Sequence, residues 1–340
     1  MSEPSPKRVR IWLARTVYAG VAAVTVPVVL ARVLPFQVPY PLSAAEAEAT
    51  WVLLLAWAGL ALAVVLRHRR VAALFGVVAL VHALWALEWV PRIEAGTRPA
   101  GTALRVVTAN LLAPEPSREA ARALLATDAD VIVVQELSDP WDATLREAGV
   151  YDAYPFRVTE PHALEENYFG IGILSRRPIT SSEVTPLVAA RLPLARADLD
   201  VGGATVRVYA VHTVPPKDGA LLALLERQAD VLAARMRRDT ADARLAAVIV
   251  AGDFNASPTA RVYRTMLATG VTEAHEAVGR GLTTTWPNGV FPYPPMRLDH
   301  VFVHGAYVSR VRELDAGRSD HAPVVVDLVL PHGASHPRSQ

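Results

Sequence analysis

The chain has 340 residues, of which 52% are hydrophobic and 20% charged, and its mean hydropathy is +0.24. This composition excludes a disordered chain, which would be charge-rich and apolar-poor, and the length allows about two units of ~150 residues. The chain has no cysteine, which excludes disulfide scaffolds and cysteine–metal sites, and its formal net charge of +1 argues against a broad nucleic-acid-binding surface, so a nucleic-acid partner is not expected.

The first 90 residues contain three apolar stretches, at about 11–34, 49–66 and 71–89. A membrane-spanning helix needs ~20 predominantly apolar residues, with ~17 as the lower limit, so we predict three transmembrane helices within residues 1–90. The alternatives are a signal peptide for the first stretch or a buried helical pair for the other two. Two further apolar stretches disfavour the signal peptide, and the second stretch lacks the polar face of a soluble helix.

Basic residues predict the orientation of these helices. They lie in the N-terminal tail, at Lys7–Arg10, and between the second and third stretches, at Arg67–Arg70, whereas the first connection carries Glu46 and Glu48. The positive-inside rule places the two basic segments in the cytoplasm. Three crossings then predict a multi-pass protein of the cell membrane whose C-terminal domain is extracytoplasmic.

Residues 102–330 alternate β-branched runs with helical patterns and predict an α/β domain, preceded by a linker at 91–101 and followed by a loose tail at 331–340. The helices are expected near 116–127, from 139, and at 219–238 and 259–268. The expected strands are Leu104–Ala109, Val131–Val134, Ile171–Leu174, Val206–Val211, Val248–Val250, Leu298–Val303 and Val324–Leu330.

Polar side chains are concentrated at the ends of these strands, where a layered α/β fold presents its chemistry. Each residue alone has an ordinary alternative as a turn or hydrogen-bonded structural residue. Together they form a set of oxygen and imidazole donors that suits Mg²⁺ or Mn²⁺ and metal-assisted phosphoryl hydrolysis. The set is Asn110, Glu136, His212, Asp253, Asn255, Asp299, Asp320 and His321.

In order and character these segments resemble the endonuclease/exonuclease/phosphatase family, and the resemblance covers residues 102–330. It implies a four-layer α/β sandwich in which two packed β-sheets are flanked by helices. The specific motifs are Gly252-Asp253-Phe254-Asn255 and Ser319-Asp320-His321, within a series that also includes Thr108–Asn110, Gln135-Glu136, Phe169-Gly170 with Ile173–Ser175, Val211-His212 and Leu298–His300.

The resemblance implies a divalent metal, Mg²⁺ or Mn²⁺, with Glu136 as its main ligand and Asn110 and Asp320 close to it. It also implies that His321, held by Asp299, polarises the phosphate or acts as an acid or base. A carboxylate that holds an imidazole in this way fixes its tautomer and supports the imidazolium.

In the same resemblance, Asp253 orients or deprotonates the attacking water, and Asn255 and His212 donate hydrogen bonds to the phosphate oxygens. Arg297 flanks the Asp299 motif and is either a substrate contact or a solvated surface arginine. Phe291 lies in an apolar, proline-rich loop at 290–296, which is either a membrane-dipping substrate contact or a packed surface loop.

The whole chain also resembles actinobacterial membrane proteins linked to vancomycin and teicoplanin resistance. This resemblance implies a cell-envelope substrate such as undecaprenyl pyrophosphate or a related lipid phosphate, and a bilayer as the second partner. The alternatives are an extracellular nuclease or soluble phosphodiesterase, and a non-catalytic binding or sensory module. The last is disfavoured because each expected polar position is filled, although Phe169 stands where family nucleases often carry tyrosine.

Overall fold

The computed structural model describes residues 6–33, 39–87, 99–163, 168–188, 192–289, 294–315 and 317–331. The chain divides into two compact units, Met1–Trp89 with Thr259–Arg261 and Val90–Pro258 with Val262–Gln340. Most of the predicted linker at 91–101 and of the predicted tail at 331–340 lies outside the described residues.

The first unit is helical, and two of its helices contain stretches long and apolar enough to cross a membrane, Ile11–Val33 and Arg69–Ala86. Two of the three predicted spanning helices reach this length, whereas the middle stretch, Ala49–Val65, is shorter and is interrupted at Leu53. At 1.5 Å per residue it covers only ~25 Å of a hydrocarbon core ~30 Å thick. The helices are α1 (Pro6–Val33), α2 (Leu42–Ala47), α3 (Ala49–Val52), α4 (Leu54–Val65) and α5 (Arg69–Ala86).

The helices of this unit are apolar inside and outside. Phe75 packs against Gly59, where an added Cβ would meet the Phe75 ring at 2.9 Å, so glycine permits the close approach of α4 and α5. Side chains on the outer faces of α1, α4 and α5 are also apolar, and Trp12 is 64% exposed. A soluble amphipathic helix would present a polar face there, which these helices lack.

The second unit contains two six-stranded mixed sheets. Sheet 1 has the order β11-β12-β1-β2-β4-β3 and sheet 2 the order β5-β6-β7-β8-β10-β9. Among the described strands, the pairs β1–β2 and β7–β8 are parallel and the other pairs are antiparallel. The strands are β1 (Gly101–Asn110), β2 (Val131–Gln135), β3 (Phe156–Glu160), β4 (Ile171–Ser175), β5 (Ile179–Pro186), β6 (Pro193–Val201), β7 (Ala204–His212), β8 (Leu245–Asp253), β9 (Thr272–Glu273), β10 (Asp299–His304), β11 (Tyr307–Glu313) and β12 (Val324–Pro331).

The two sheets pack face to face and helices cover their outer faces, which confirms the predicted architecture of the α/β domain. Alternation along β1 produces this arrangement, because Leu104 and Val106 enter the core between the sheets while Val107 and Ala109 enter the core beneath the helices. The helices are α6 (Arg118–Ala126), α7 (Asp139–Glu147), α8 (Val150–Ala153), α9 (Gly219–Thr240), α10 (Arg261–Leu267) and α11 (Ala274–Ala277).

Side-chain caps fix where the long helices of this unit begin. The Ser117 side chain accepts a hydrogen bond from the backbone N–H of Ala120 at the start of α6, as expected of a cap. Helix α7 begins at residue 139, as expected, and is capped by Ser138, with Pro140 in its first turn. The Asp218 side chain caps α9 by accepting from Ala220 and Leu221.

A buried ionic network lies beside the strands β9 and β10. His275 donates to Glu273 (2.9 Å) and to Glu313 (3.0 Å), and the Arg297 guanidinium lies 3.6 Å from Glu273. Burial alone would raise the pKa of Glu273, but the positive charges of Arg297 and His275 outweigh it and hold the pKa well below its usual value. Burial would lower the pKa of His275, and its two glutamate partners instead raise it.

We expect Glu273→Gln to reduce the free energy of unfolding by roughly 3–5 kcal/mol, because it leaves Arg297 and His275 buried without their central anion. Since the folded-state pKa of Glu273 lies below its ordinary value of 4.5, the carboxylate stabilises the fold above pH 4.5 and loses this effect only as pH falls further. Chemical denaturation of the full chain between pH 4 and pH 8 measures the difference.

The control is Glu147→Gln, which removes an ion pair with Arg118 that is exposed on both sides. Exposed pairs contribute little, so this variant should match the wild type. Equal stabilities of the wild type and Glu273→Gln at neutral pH would contradict the role of the network.

Candidate active site

Strands from both sheets end at one place and bring the predicted side chains together. Asn110 is the last residue of β1, and Glu136 directly follows β2 in sheet 1. His212 ends β7, and Asp253 ends β8 and pairs with Asp299 at the start of β10, all in sheet 2. The parallel pairs β1–β2 and β7–β8 therefore direct their carboxyl ends to a common edge.

The backbone at this edge is tightly constrained around Gly252. Its φ of +152° is a conformation that side-chain-bearing residues rarely adopt, and an added Cβ would lie 1.9 Å from the carbonyl oxygen of Val211. Glu136 and Asn255 also have positive φ values, of 56° and 45°. The glycine of the Gly-Asp-Phe-Asn motif is thus required by the close approach of β7 to β8, directly before Asp253.

Asn110 connects the two sheets at the centre of the site. Its Nδ2 donates to Glu136 Oε1 and to Asp253 Oδ2, both at 3.1 Å. The other oxygen of Glu136 accepts from the backbone N–H of Ala113 at 3.0 Å. Burial raises the pKa of the Glu136 carboxyl, while the hydrogen bonds from Ala113 and Asn110 act in the opposite direction.

Asp299 and His321 form a buried carboxylate–imidazole pair. His321 Nδ1 donates to Asp299 Oδ2 at 2.8 Å, and both side chains are buried. Burial would lower the pKa of His321, but the negative charges of Asp299 and Asp253 outweigh it and raise the pKa to about 10. The imidazole is therefore a cation at neutral pH, with Nε2–H directed away from Asp299.

Asp253 lies between the two imidazoles. Its Oδ2 is 3.7 Å from the Nε2 atoms of both His212 and His321. Burial raises the pKa of Asp253, which makes it a stronger base than an exposed carboxylate, and burial lowers the pKa of His212. Asn255 is fixed beside them, since its backbone N–H donates to Asp253 Oδ1 (2.8 Å) and its Nδ2 donates to the Thr213 carbonyl (2.8 Å).

Asp320 reaches the same region from the segment that precedes β12. Its negative charge contributes to the raised pKa values of Glu136 and His321, so it lies close to both. Its Oδ2 accepts from the indole Nε1 of Trp286 at 3.0 Å. The sequence analysis did not identify Trp286, because a single tryptophan in a loop carries no signal without the partner that it contacts.

The structure separates Arg297 from these residues, which corrects its prediction as either a substrate contact or a solvated arginine. Arg297 is 1% exposed and contacts Glu273, Glu276 (3.7 Å) and the Gly281 carbonyl (2.8 Å). Phe291, the other predicted substrate contact, lies outside the described residues. Phe169 packs against His212, with ring centroids 4.8 Å apart.

The donor set fits a divalent cation. The acidic cluster, which we define as Glu136, Asp253, Asp299 and Asp320, concentrates negative charge, and Asp299 Oδ1 is buried without a hydrogen-bond partner. Ligand atoms of Asp253, Asp299 and His321 lie within 4.8 Å of one another. Because a protonated imidazole cannot ligate a metal, Glu136, Asp320 and Asn110 are the better candidates while His321 keeps its proton.

Comparisons with known proteins agree with this geometry. The profile of the Endonuclease/Exonuclease/phosphatase family matches residues 107–321. Among solved structures, a protein of that family from Beutenbergia cavernae is 22% identical over 68% of this chain and 72% of its own, with a TM-score of 0.53.

Two further structures have TM-scores of 0.55 and are 18% identical. A family protein from Bacteroides thetaiotaomicron aligns over 71% of this chain and 100% of its own, and a humanised D. rerio TDP2 over 66% and 98%. At these identities the likeness shows the fold. A search of curated protein sequences finds no match.

Gly252→Ala is expected to destabilise the second unit by at least about 2 kcal/mol, because the new Cβ meets the Val211 carbonyl in a conformation that favours glycine. Gly203→Ala is the matched control, since Gly203 also has a positive φ (+88°) but has open space around its Cβ position. Chemical denaturation of both variants measures the difference. Equal losses would show that the close approach of β7 to β8 is not the constraint.

Proposed function

Because the chain belongs to the Endonuclease/Exonuclease/phosphatase family, whose members are phosphoester hydrolases, we propose that it is a membrane-anchored, divalent-metal-dependent hydrolase of a lipid-linked phosphate or pyrophosphate. The observation that carries the proposal is the contact of Asn110 with both Glu136 and Asp253, which joins the carboxylates of the two sheets into one site. The oxygen-rich donor set favours Mg²⁺ or Mn²⁺ as the divalent cation of this site.

Glu136, Asp320 and Asn110 would hold the cation. When bound, the metal ion neutralises the charge that develops on the phosphate oxygens. The residues themselves prepare the site for it, because Asn110 and the Ala113 N–H orient the Glu136 carboxylate, and Trp286 orients Asp320. Such fixed outer contacts keep ligands in position before the substrate arrives.

Asp253 and His321 are the proton-transfer pair. Asp253, with its raised pKa, accepts a proton from the attacking water as the water oxygen bonds to phosphorus. His321 donates the proton on Nε2 to the oxygen that leaves when the P–O bond breaks, and Asp299 stabilises the imidazolium before transfer. His212 and the free amide hydrogen of Asn255 donate to the phosphate oxygens as their charge increases.

Two features support an amphiphilic substrate. The outer faces of α1, α4 and α5 are apolar, as expected of helices in a bilayer. In the second unit, Tyr168 is 51% exposed beside Phe169, which packs on His212, and Leu282 is 67% exposed in the segment that leads to Trp286. Exposed apolar side chains near site residues in the sequence favour a substrate with an apolar part.

The activity is tested with the full chain reconstituted in liposomes and supplied with Mg²⁺, Mn²⁺ or a chelator. The substrates are undecaprenyl pyrophosphate, a lysophospholipid, sphingomyelin, a soluble aryl phosphodiester and single-stranded DNA. We expect metal-dependent release of phosphate from the lipid pyrophosphate. Glu136→Gln and Asp253→Asn should each lower kcat/KM at least about 100-fold, because they remove a metal ligand and the base.

Glu147→Gln, an exposed carboxylate on α7, is the matched control and should retain activity. Hydrolysis that survives chelation, or that survives both site substitutions, would contradict the proposal. Faster cleavage of DNA than of any lipid would favour the nuclease alternative. A link to glycopeptide resistance stays a prediction that depends on the envelope-lipid substrate.

A reporter fused after Gly101 tests the membrane topology. Three crossings place it outside the cell, whereas two crossings, by the two helices of spanning length alone, would leave it in the cytoplasm. We expect that alkaline phosphatase fused at this position is active and that green fluorescent protein fused there does not fluoresce. A fusion after His68, in the basic connection between α4 and α5, should show the reverse and is the control. Cytoplasmic behaviour after Gly101 would overturn the extracytoplasmic assignment, and extracytoplasmic behaviour after His68 would then identify two crossings.

A further inference from the structure

A four-residue segment, Thr285–Asn288, contacts both halves of the site, and we call it the clasp. It lies between α11 and β10 in the chain, and its backbone pairs with Met296 through a β-bridge at Trp286. Trp286 N donates to the Met296 carbonyl at 2.9 Å, and Met296 N donates back to the Trp286 carbonyl at 2.6 Å. These bonds fix the clasp beside the start of β10, two residues before Leu298.

Thr285 holds the backbone of the residues that carry the carboxylate–imidazole pair. Its Oγ1 accepts hydrogen bonds from the backbone N–H groups of Leu298 (3.0 Å) and Asp299 (3.1 Å). Its carbonyl oxygen accepts from the backbone N–H of Ala322, the residue after His321, at 2.8 Å. Thr285, which is 1% exposed, therefore accepts hydrogen bonds from the backbone of Asp299 and of the residue that follows His321.

The other residues of the clasp hold Asp320. The Trp286 indole donates to Asp320 Oδ2, and the Asn288 backbone N–H donates to the Asp320 carbonyl at 2.6 Å. Asn288 Nδ2 donates to the Ser319 carbonyl at 3.2 Å. The clasp is therefore hydrogen-bonded both to the Asp320 side chain and to the backbone of the Ser-Asp-His motif.

We propose that the clasp is a positioning element and that Thr285 and Trp286 are positioning residues, Thr285 for the Asp299–His321 pair and Trp286 for Asp320. The inference rests on the proposed function. Asp299 belongs to sheet 2, whereas His321 precedes β12 of sheet 1, so their 2.8 Å contact depends on how the two sheets are joined locally. A misplacement of 1 Å can cost about 100-fold in rate.

The kinetic test compares Thr285→Val, which keeps the side-chain shape but removes the acceptor, with Thr285→Ser, which keeps the hydroxyl. We expect the valine variant to lower kcat roughly 100-fold with little change in KM, and the serine variant to retain most of the activity. Thr284→Val, the same change at the preceding half-buried residue, is the control. Equal activities of the valine and serine variants would overturn the role of Thr285.

A second measurement needs no substrate. In the full chain labelled with ¹⁵N-histidine, the Nδ1 proton of His321, assigned by its loss in His321→Gln, reports its hydrogen bond to Asp299. We expect this resonance to disappear or shift in Thr285→Val and to persist in Thr285→Ser and Thr284→Val. An unchanged resonance in the valine variant would overturn the proposal. An inactive wild type would defeat the proposed function and leave this measurement intact.

Trp286→Phe tests the contact with Asp320 in the same preparations. Removal of the indole donor should weaken binding of Mn²⁺, measured by calorimetry on the full chain, by about 10–100-fold. Thr285→Val should leave Mn²⁺ binding nearly unchanged, because Thr285 does not contact the predicted ligands. Unaltered Mn²⁺ affinity in Trp286→Phe would overturn the assignment of Trp286.

Discussion

The structure of the second unit depends on one electrostatic constraint, which is that the acidic cluster converges at a largely buried edge of two sheets. Burial of a carboxylate favours its neutral form, and two neighbouring carboxylates raise each other's pKa. The protein offsets this cost with donors placed between the sheets. Asn110 donates to Glu136 and to Asp253, and the His321 cation faces Asp299 and Asp253. These donors do not fully compensate the burial of the carboxylates, since the pKa values of Glu136 and Asp253 remain raised. A bound divalent cation would supply the missing positive charge.

This constraint explains why the site was accessible to sequence reasoning. Its residues lie at either end of short β-branched runs, after the run for Asn110 and Glu136 and before it for Asp299 and His321, and such a pattern is visible in the chain without knowledge of the pairing. The strands that were not predicted lack this pattern. In β6, Arg196 and Asp198 interrupt the apolar residues, and only the structure shows that Asp198 is bonded to Arg196 and Arg207 at 2.8 and 2.7 Å. From the sequence alone, a charged residue is expected to be exposed, because a neutralising partner that is distant in the chain is not visible.

Arg297 illustrates the same limit within the site prediction. Its position two residues before Asp299 suggested either substrate or solvent, yet its guanidinium lies 3.6 Å from the carboxylate of Glu273, which lies 24 residues earlier in the chain. His300, the residue after Asp299, is buried, and its Nε2 donates to the Ala256 carbonyl. Sequence position therefore did not reveal that Arg297 is paired with a buried glutamate distant in the chain.

The first unit shows a different limit, because hydropathy measures composition and not helix continuity. The stretch 49–66 is as apolar as its neighbours, but its helix is interrupted at Leu53 and falls short of the bilayer thickness. In the proposed membrane topology, the side on which the second unit lies depends on whether this one segment crosses, since each crossing reverses the side. The chemistry of the site does not depend on the number of crossings, but the substrates available to it do. In the proposed topology, the short middle helix is thus the element that decides which phosphoesters the site can meet.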